Sequence, residues 1–326
     1  MALRDEMITV FGASGFIGRY VVRKLAKAGY RVRAATRRPH LAHDLKPMGV
    51  VGQIQLVQAN LRDEDSVRRA LEGADGVINL VGVLFEDGRQ TFDSLQAKGA
   101  GLIAKLAAEA GIERVVHISA IGTNAESDSA YARTKALGEQ AVREAVPGAV
   151  ILRPSIVFGT EDEFFNKFAD MARFAPFLPL IGGGTTKFQP VWVSDVASAA
   201  VTALGDDAAR GRTFELGGPA TYTFKELLEY ILEVTRRKPV LLPIPFFGAT
   251  VMGALGQLSA ILPFVQPFLT MDQVKLLKTD NVVGISGEDV GVIGDLGVVP
   301  ETVEAIVPTY LARYRKGGQF AESQGS

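Results

Sequence analysis

The chain has 326 residues, room for one large domain or two modest ones, and its 47% apolar content can fill a sizeable core. A net charge of −1 argues against a nucleic-acid partner. The absence of cysteine excludes disulfides, cysteine-held iron–sulfur clusters and a cysteine nucleophile together, and the scattered His40, His43 and His117 offer no metal site.

Residues 1–7 carry Arg4, Asp5 and Glu6 with no apolar stretch, so a signal peptide is not expected there. Residues 8–18 read ITVFGASGFIG, a short β-preferring run followed by Gly12, Gly15 and Gly18. Tyr20, Val21, Val22 and Leu25 then recur at helical spacing until Gly29. This is strand, tight turn, helix. Gly12 permits the turn, Gly15 lets a ligand approach the backbone, and Gly18 lets the helix pack on the strand. Free N–H groups at the helix start suit a pyrophosphate, so the loop containing Ser14, Phe16 and Ile17 is the candidate dinucleotide cradle.

A second strand is expected over residues 30–35. A site for NAD would place an acidic residue at its end, but here stand Thr36, Arg37 and Arg38. Guanidinium groups pair with a 2′-phosphate that a carboxylate would repel, which favours NADPH (NADP) over NAD. A third strand over 53–58 ends at Asn60 and Leu61, and Asp63 can cap a helix through 71. A fourth, GVINLVG over 76–82, contains Val81 and ends at Gly82, where cofactor could approach the sheet. A helix over 91–110, a fifth strand over 114–119 and a sixth over 150–152 running into Pro154 complete an alternating pattern. The expected fold class is α/β: a doubly wound parallel sheet, Rossmann-like and NAD(P)-binding, with a smaller mixed C-terminal lobe. Ligands of such sheets lie beyond the strand ends, here Gly12, Thr36, Asn60, Gly82, Ser119 and Pro154.

Past the fifth strand, YARTK places Tyr131 and Lys135 four apart on one helical face. An ammonium beside a phenol favours the phenolate, which fits the pair for acid–base work, and the lysine can hold a ribose. Ser119 is the candidate catalytic hydroxyl.

In the second half, helices are expected over 164–174, 195–204 and 301–315, and strands over 190–193 and 213–216. Thr223 and Glu226 form a capping box for a helix through 234. No charged residue occurs from 239 to 271, where prolines bracket an apolar helix over 246–262. Seventeen residues at about 1.5 Å each fall short of a bilayer core of about 30 Å, so the segment reads as a lobe core helix or as a face for a partner or bilayer. The expected domains are 1–158, regaining segments near 190–220, then 159–316, with a loose polar tail over 317–326.

The stretches FGASGFIGRYVV, LKPMG, VINLVG, AGIERVVHIS, YARTKALGE, RPSIVFGTEDEFFNKFA and QPVWVSDVA together carry a resemblance. The chain resembles the extended or atypical short-chain dehydrogenase/reductases, and more closely the 39 kDa subunit family of respiratory complex I and its bacterial relatives. The resemblance implies a tightly held NADPH of mainly structural use. It implies complex I subunits of the peripheral arm near the membrane as partners, with the membrane surface a further contact through 239–271. It also implies a peripheral location on the cytoplasmic side of a bacterial inner membrane or the mitochondrial matrix side. Carried over by position, Gly12, Gly15 and Gly18 take the pyrophosphate, Arg37 or Arg38 the 2′-phosphate, and Tyr131 and Lys135 the acid–base and ribose-holding places. Three departures weigh against turnover: Ser119-Ala120-Ile121 replaces a run of hydroxyl residues, Gln96 stands where active members carry asparagine, and the loop from Ser119 to Tyr131 is short; the intact Tyr131 and Lys135 weigh the other way.

Overall fold

A computed structural model describes residues 3–88, 90–259 and 269–318. In chain order the elements are β1 (Met7–Phe11), α1 (Phe16–Lys27), β2 (Arg31–Thr36), β3 (Ile54–Gln58), α2 (Glu64–Leu71), β4 (Gly76–Asn79), α3 (Lys98–Glu109), β5 (Val115–Ile118), α4 (Ala130–Ala145) and β6 (Val150–Pro154). There follow β7 (Val157–Phe158), α5 (Phe165–Phe174), β8 (Phe177–Ile181), β9 (Lys187–Phe188), β10 (Val191–Trp192), α6 (Val193–Gly205) and β11 (Thr213–Leu216). The rest are β12 (Tyr222–Thr223), α7 (Phe224–Thr235), β13 (Val240–Ile244), α8 (Phe246–Ser259), α9 (Met271–Leu276), β14 (Gly291–Val292) and α10 (Val303–Leu311). They form two compact units: the described parts of 1–154, 193–216 and 287–299, and those of 155–192, 217–286 and 300–326.

The first unit is built on an eight-stranded sheet in the order β14-β11-β6-β5-β4-β1-β2-β3, with every pairing parallel. From β1 the chain adds β2 and β3 on one side, then returns to place β4 on the other. The order therefore reverses between β1 and β4, where such sheets form their ligand crevice. β1, β4, β5 and β6 are buried throughout, as continuous apolar strands covered on both faces must be. On one face, α2, α3 and α4 contribute Val67, Leu71, Ile103, Leu106 and Val142 to a core with Phe11, Val77 and Ile151. On α1 the buried set is Val21, Val22, Leu25 and Ala26, and this helix packs against α6.

Several boundaries differ from the sequence reading for local reasons. β4 stops at Asn79 rather than at 82 because the Asn79 side chain turns back to accept the Val81 N–H at 3.0 Å. The helix expected over 91–110 opens with a π turn, Asp93–Ala97, before α3 begins. Residues 287–299, which the sequence reading gave to the smaller lobe, supply β14 to the large sheet. Two residues leave no periodic signal; Gly291 fits there because a Cβ would stand 2.4 Å from the Phe214 ring.

The second unit packs around an aromatic cluster of Phe158, Phe165, Phe168, Phe188 and Phe224, with Leu227, Leu228 and Ile231 from α7 and Val303, Val307 and Tyr310 from α10. The Thr223–Glu226 capping box opens α7. β8 and β13 form a parallel pair that the sequence reading lacked, because apolar VLLPI has no alternation to mark a strand. α8 begins at Phe246 and is described to Ser259; residues 260–262 of the expected helix lie outside the described residues. Among the described residues, no helix is long and apolar enough to cross a membrane. The last helix is shorter than expected: α10 ends at Leu311 and a 3-10 turn, Ala312–Tyr314, follows.

The TEDEFFN stretch explains how α10 is held. The Asp162 carboxylate caps α5 by accepting from Phe165 N (2.6 Å) and Asn166 N (3.2 Å), and also accepts from Gly159 N (3.2 Å) and the Tyr310 hydroxyl (2.6 Å). Asn166 Oδ1 accepts from Tyr314 at 3.1 Å. Burial pushes the Asp162 carboxyl above its usual range against the pull of these donors. Tyr310→Phe should therefore cost about 1–3 kcal/mol in urea-induced unfolding, the loss of one hydrogen bond to a buried charged acceptor; a change within experimental error would show that packing alone docks α10.

Candidate nucleotide site

The crevice at the β1/β4 reversal is shaped by glycine. Gly12 has φ +80°, and a Cβ there would stand 3.2 Å from the Leu80 backbone. At Gly18 a Cβ would lie 2.2 Å from the Gly12 carbonyl oxygen, so α1 can begin against the end of β1 only with glycine at this place. Gly15 differs: it is exposed, and a Cβ there would meet only the Gly12 oxygen at 3.2 Å, leaving its outer side open. Gly15 is also the N-cap of α1 and offers no side-chain cap, which leaves the first N–H groups of the helix without a capping acceptor. Ser14, Phe16 and Ile17 lie at this opening, each partly exposed, with the Ser14 carbonyl accepting from Arg19 Nε at 3.3 Å.

Other candidates line the carboxyl ends of the same strands. Arg37 and Arg38 follow β2 and are exposed. Arg37 donates to the Gln90 side-chain oxygen, and the Arg38 backbone N–H is held by Thr36 Oγ1 at 3.0 Å. Asn60 follows β3, its Oδ1 accepting from Arg62 N at 3.2 Å, and Leu61 packs beneath Gly99. Val81 is anchored by Asn79, Gly82 is exposed, and Pro154 at the end of β6 accepts from Ile121 N at 3.0 Å. The glycine turn and the uncapped helix start have the chemistry that suits a phosphate, and Arg37 and Arg38 are exposed cations after β2.

α4 brings Tyr131 and Lys135 to this end of the sheet. Ser129 caps the helix by accepting from Ala132 N, and Gly138 lets it approach the π turn: a Cβ there would lie 2.1 Å from the Gln96 carbonyl oxygen. Tyr131 is half-buried with Phe92 edge-on, ring centroids 5.7 Å apart. Lys135 is buried, its Nζ donating to the Ile118 carbonyl at 3.0 Å. A Cβ on Gly82 would come within 3.3 Å of that ammonium, so glycine keeps the space above it clear. Burial pulls the Lys135 amine down to about 8, with the Glu139 carboxylate pulling the other way.

Ser119 lies in the β5 to β6 ladder, its N–H bonded to the Leu152 carbonyl at 2.7 Å. Its hydroxyl is buried toward Glu139, close enough to help hold that carboxyl down, yet makes no hydrogen bond of good geometry among the described residues. Thr123 Oγ1 donates to the Ala120 carbonyl at 2.6 Å. Gln96 uses both ends of its amide: Nε2 donates to the Val83 carbonyl at 2.7 Å and Oε1 accepts from Thr134 at 3.1 Å.

Below the pair lies a polar layer absent from the sequence reading. Asn79 Nδ2 sits 3.1 Å from His117 Nδ1. Because Asn79 Oδ1 already accepts from Val81 N, the amide donates to Nδ1 and the histidine proton falls on Nε2. Burial, with Lys135 adding to it, lowers the imidazole to about 3, so His117 is neutral at physiological pH. Glu139 accepts from Arg153 Nε at 2.9 Å and from a terminal Arg153 nitrogen at 2.8 Å. Burial opposes ionisation, but Arg153 prevails and holds Glu139 below the usual carboxylate range. The signal for Glu139 was present in YARTKALGE, one helical turn beyond Lys135. Those for Asn79, His117 and Arg153 were not, since buried polar residues on strands look like any strand residue. Among the described residues no acidic, histidine or cysteine cluster could hold a metal ion.

The profile of the NAD dependent epimerase/dehydratase family matches residues 8–217, the stretch that contains this crevice. The chain belongs to this family. It is also 40% identical to NADH dehydrogenase (ubiquinone) 1 alpha subcomplex subunit 9 of Arabidopsis thaliana, over 95% of this chain and 78% of that one. With the Mus musculus protein of the same name it shares 37% identity over 94% of this chain and 80% of the relative. It is therefore a member of the subunit 9 family as well. Among solved structures, the NADPH-dependent quinone oxidoreductase QOR2 of Escherichia coli, complexed with NADPH, superposes with a TM-score of 0.71 at 19% identity, over 94% of this chain and 99% of that one. The fold is thus the NAD(P)-binding, Rossmann-like fold.

The depressed Lys135 amine gives a pH signature. The folded chain loses this proton near pH 8 and the unfolded chain near 10.5, so the unfolded state binds more protons between those values. The cost of burying the ammonium is complete below pH 8 and fades as pH rises toward 10.5. Relative to Lys135→Met, the wild type should gain about 1–3 kcal/mol of stability across that window. Urea unfolding of both proteins at several pH values checks this, and parallel pH profiles would contradict it.

Proposed function

We propose that this protein is an NADP(H)-binding accessory subunit of a proton-pumping NADH:quinone oxidoreductase, complex I, in which the nucleotide serves mainly as a structural brace. The observation that carries the reading is identity with subunit 9 relatives over 94–95% of the chain, which extends well past the residue-217 limit of the general family match. The partners are complex I subunits of the peripheral arm near the membrane. Val240 and Leu242 on β13 and Phe247 and Val251 on α8 are exposed apolar side chains within the uncharged 239–271 segment. They suit a contact with such a subunit or with the membrane surface. The location is then peripheral, on the cytoplasmic side of a bacterial inner membrane or the mitochondrial matrix side.

In this reading Gly12, Ser14, Gly15, Phe16, Ile17 and Gly18 hold the pyrophosphate, through backbone N–H groups at the start of α1. Arg37 and Arg38 pair with the 2′-phosphate, which favours NADPH over NAD, and Asn60, Leu61, Val81, Gly82 and Pro154 line the remaining strand ends. Lys135 holds the ribose and favours the Tyr131 phenolate. A bound nicotinamide would supply hydride chemistry. The hydroxyl and amide groups expected to polarise a substrate oxygen are not presented for it: Ser119 is buried, Thr123 is bonded to Ala120, and Gln96 is bonded at both ends. Loss of one such donor costs about two to three orders of magnitude in rate.

Tyr131 and Lys135 on one face of α4 favour a second reading, a free-standing NAD(P)(H)-dependent reductase or sugar-nucleotide epimerase or dehydratase. The two readings separate on partners. Gently solubilised membranes should yield the chain together with complex I, and Tyr131→Phe should leave assembly and bound NADPH intact. Rapid, substrate-dependent NADPH oxidation by the purified wild type, abolished in Tyr131→Phe, would favour the enzyme instead.

Cofactor choice is tested separately. NADPH should bind more tightly than NADH, and the double variant Arg37→Ala, Arg38→Ala should lose about 1.5–3 kcal/mol of NADPH binding while NADH binding changes little. Equal wild-type affinities for the two nucleotides would remove the phosphate role of these arginines.

A further inference from the structure

The eight-stranded sheet ends at β3, and the outer side of that strand meets no other strand among the described residues. In a parallel ladder the N–H and C=O of successive residues point to alternate sides of the strand. The Val32 N–H donates to the Gln53 carbonyl at 2.9 Å and the Ala59 N–H to the Thr36 carbonyl at 3.0 Å, so residues 53, 55, 57 and 59 face β2. Ile54, Leu56 and Gln58 therefore turn their backbone groups outward, where no described residue takes them up. Edges of this kind are usually blunted by lysine, proline or a bulge. β3 reads IQLVQ, with no charge, no proline and an unbroken register against β2. Leu41, Val50 and Val51, in the turns that lead to it, are exposed. An open groove of about 660 Å³ lies along the strand, formed with the 3-10 turns Pro39–Leu41 and His43–Met48. Its lining includes Arg31, His40, His43 and Lys46 and no carboxylate. Asp5 offsets Arg31 only from full exposure, at 3.6 Å, and Asp44 turns to Arg19 at 3.5 Å.

We propose that the β3 edge is a docking site for an extended, acidic segment of a partner protein, which adds a strand to the sheet. The outward groups of Ile54, Leu56 and Gln58 supply the main-chain hydrogen bonds, the part of strand addition that gives affinity. Five residues at about 3.3 Å each make a contact about 17 Å long. Apolar side chains of the segment cover Leu41, Val50 and Val51, and its carboxylates meet Arg31 and Lys46. Charge selects this occupant over a second copy of the chain. Two copies laid edge to edge would bring the same basic groove against itself, whereas an acidic segment neutralises it. None of this depends on what fills the nucleotide crevice.

The test uses the full-length protein and two synthetic peptides of equal length, one alternating glutamate with valine and the other lysine with valine. Fluorescence anisotropy measures binding, and amide hydrogen exchange followed by NMR reads β3 residue by residue. The acidic peptide should bind, the basic one about tenfold more weakly, and added salt should weaken the acidic complex. Bound peptide should slow exchange at Ile54, Leu56 and Gln58 and leave Gln55 and Val57, already turned to β2, unchanged. Gln58→Pro removes one outward N–H and only an exposed side chain, and should weaken binding about tenfold. Arg31→Ala combined with Lys46→Ala should weaken it about three- to tenfold. If Gln58→Pro does not fold, the double variant and the exchange pattern decide. Equal binding of the two peptides, binding of neither, or unchanged affinity in the variants overturns the proposal. So does protection of the same three amides without peptide: rising with protein concentration, it shows a second copy on the edge, and independent of concentration, another segment of this chain.

Discussion

The first unit depends on one close approach, that of Gly18 to the Gly12 carbonyl. With a Cβ at position 18 only 2.2 Å from that oxygen, any other residue would push α1 away from the end of β1. The approach puts the uncapped start of a twelve-residue helix at the point where the sheet order reverses. Partial positive charge, free N–H groups and an open crevice then coincide. The three glycines have different tasks. Gly12 and Gly18 answer to the protein's own backbone, and Gly15 alone turns its open side outward.

How much of this could be read beforehand followed from how local each cause is. The glycine turn, the Asp63 and Thr223 caps and the Tyr131–Lys135 pair are set within a few residues, and all are present as expected. So is the succession of parallel strands, because continuous apolar runs between helices leave few arrangements. What escaped depends on distant residues. β14 exists because Phe214 and Gly291 fit together across more than seventy positions, and β13 because Phe177 to Ile181 offer it a partner. The polar layer under α4 escaped for the same reason. Nothing near Arg153 in the sequence announces that it will meet Glu139 from one side and Glu288 from the other.

That layer is costly to build. A buried ion pair seldom outperforms well-packed apolar residues of the same volume, because both ions give up hydration. Arg153 offsets the loss by using three nitrogens on two carboxylates, and charge-assisted bonds at 2.7–2.9 Å are among the stronger kind. Lys135 is less well provided: one carbonyl at 3.0 Å, no carboxylate within ion-pair distance among the described residues, and an amine lowered to about 8. By its own contacts the ammonium destabilises the first unit.

The imbalance bears on what the site is for. A catalyst must release its product, so it gains little from a nucleotide held far more tightly than turnover allows. A brace gains from tight binding without limit, since a ligand at about a hundred times its dissociation constant adds about 2.7 kcal/mol of stability. That is of the same order as the cost of burying one under-solvated ammonium. In the proposed reading, burial of Lys135 costs the free chain stability, and a ribose or an anion bound beside it offsets that cost. The hydroxyls that would turn the same acid–base pair toward a substrate are buried or already bonded in Ser119 and Thr123. In the proposed reading, the residues around α4 serve to hold a nucleotide rather than to spend it.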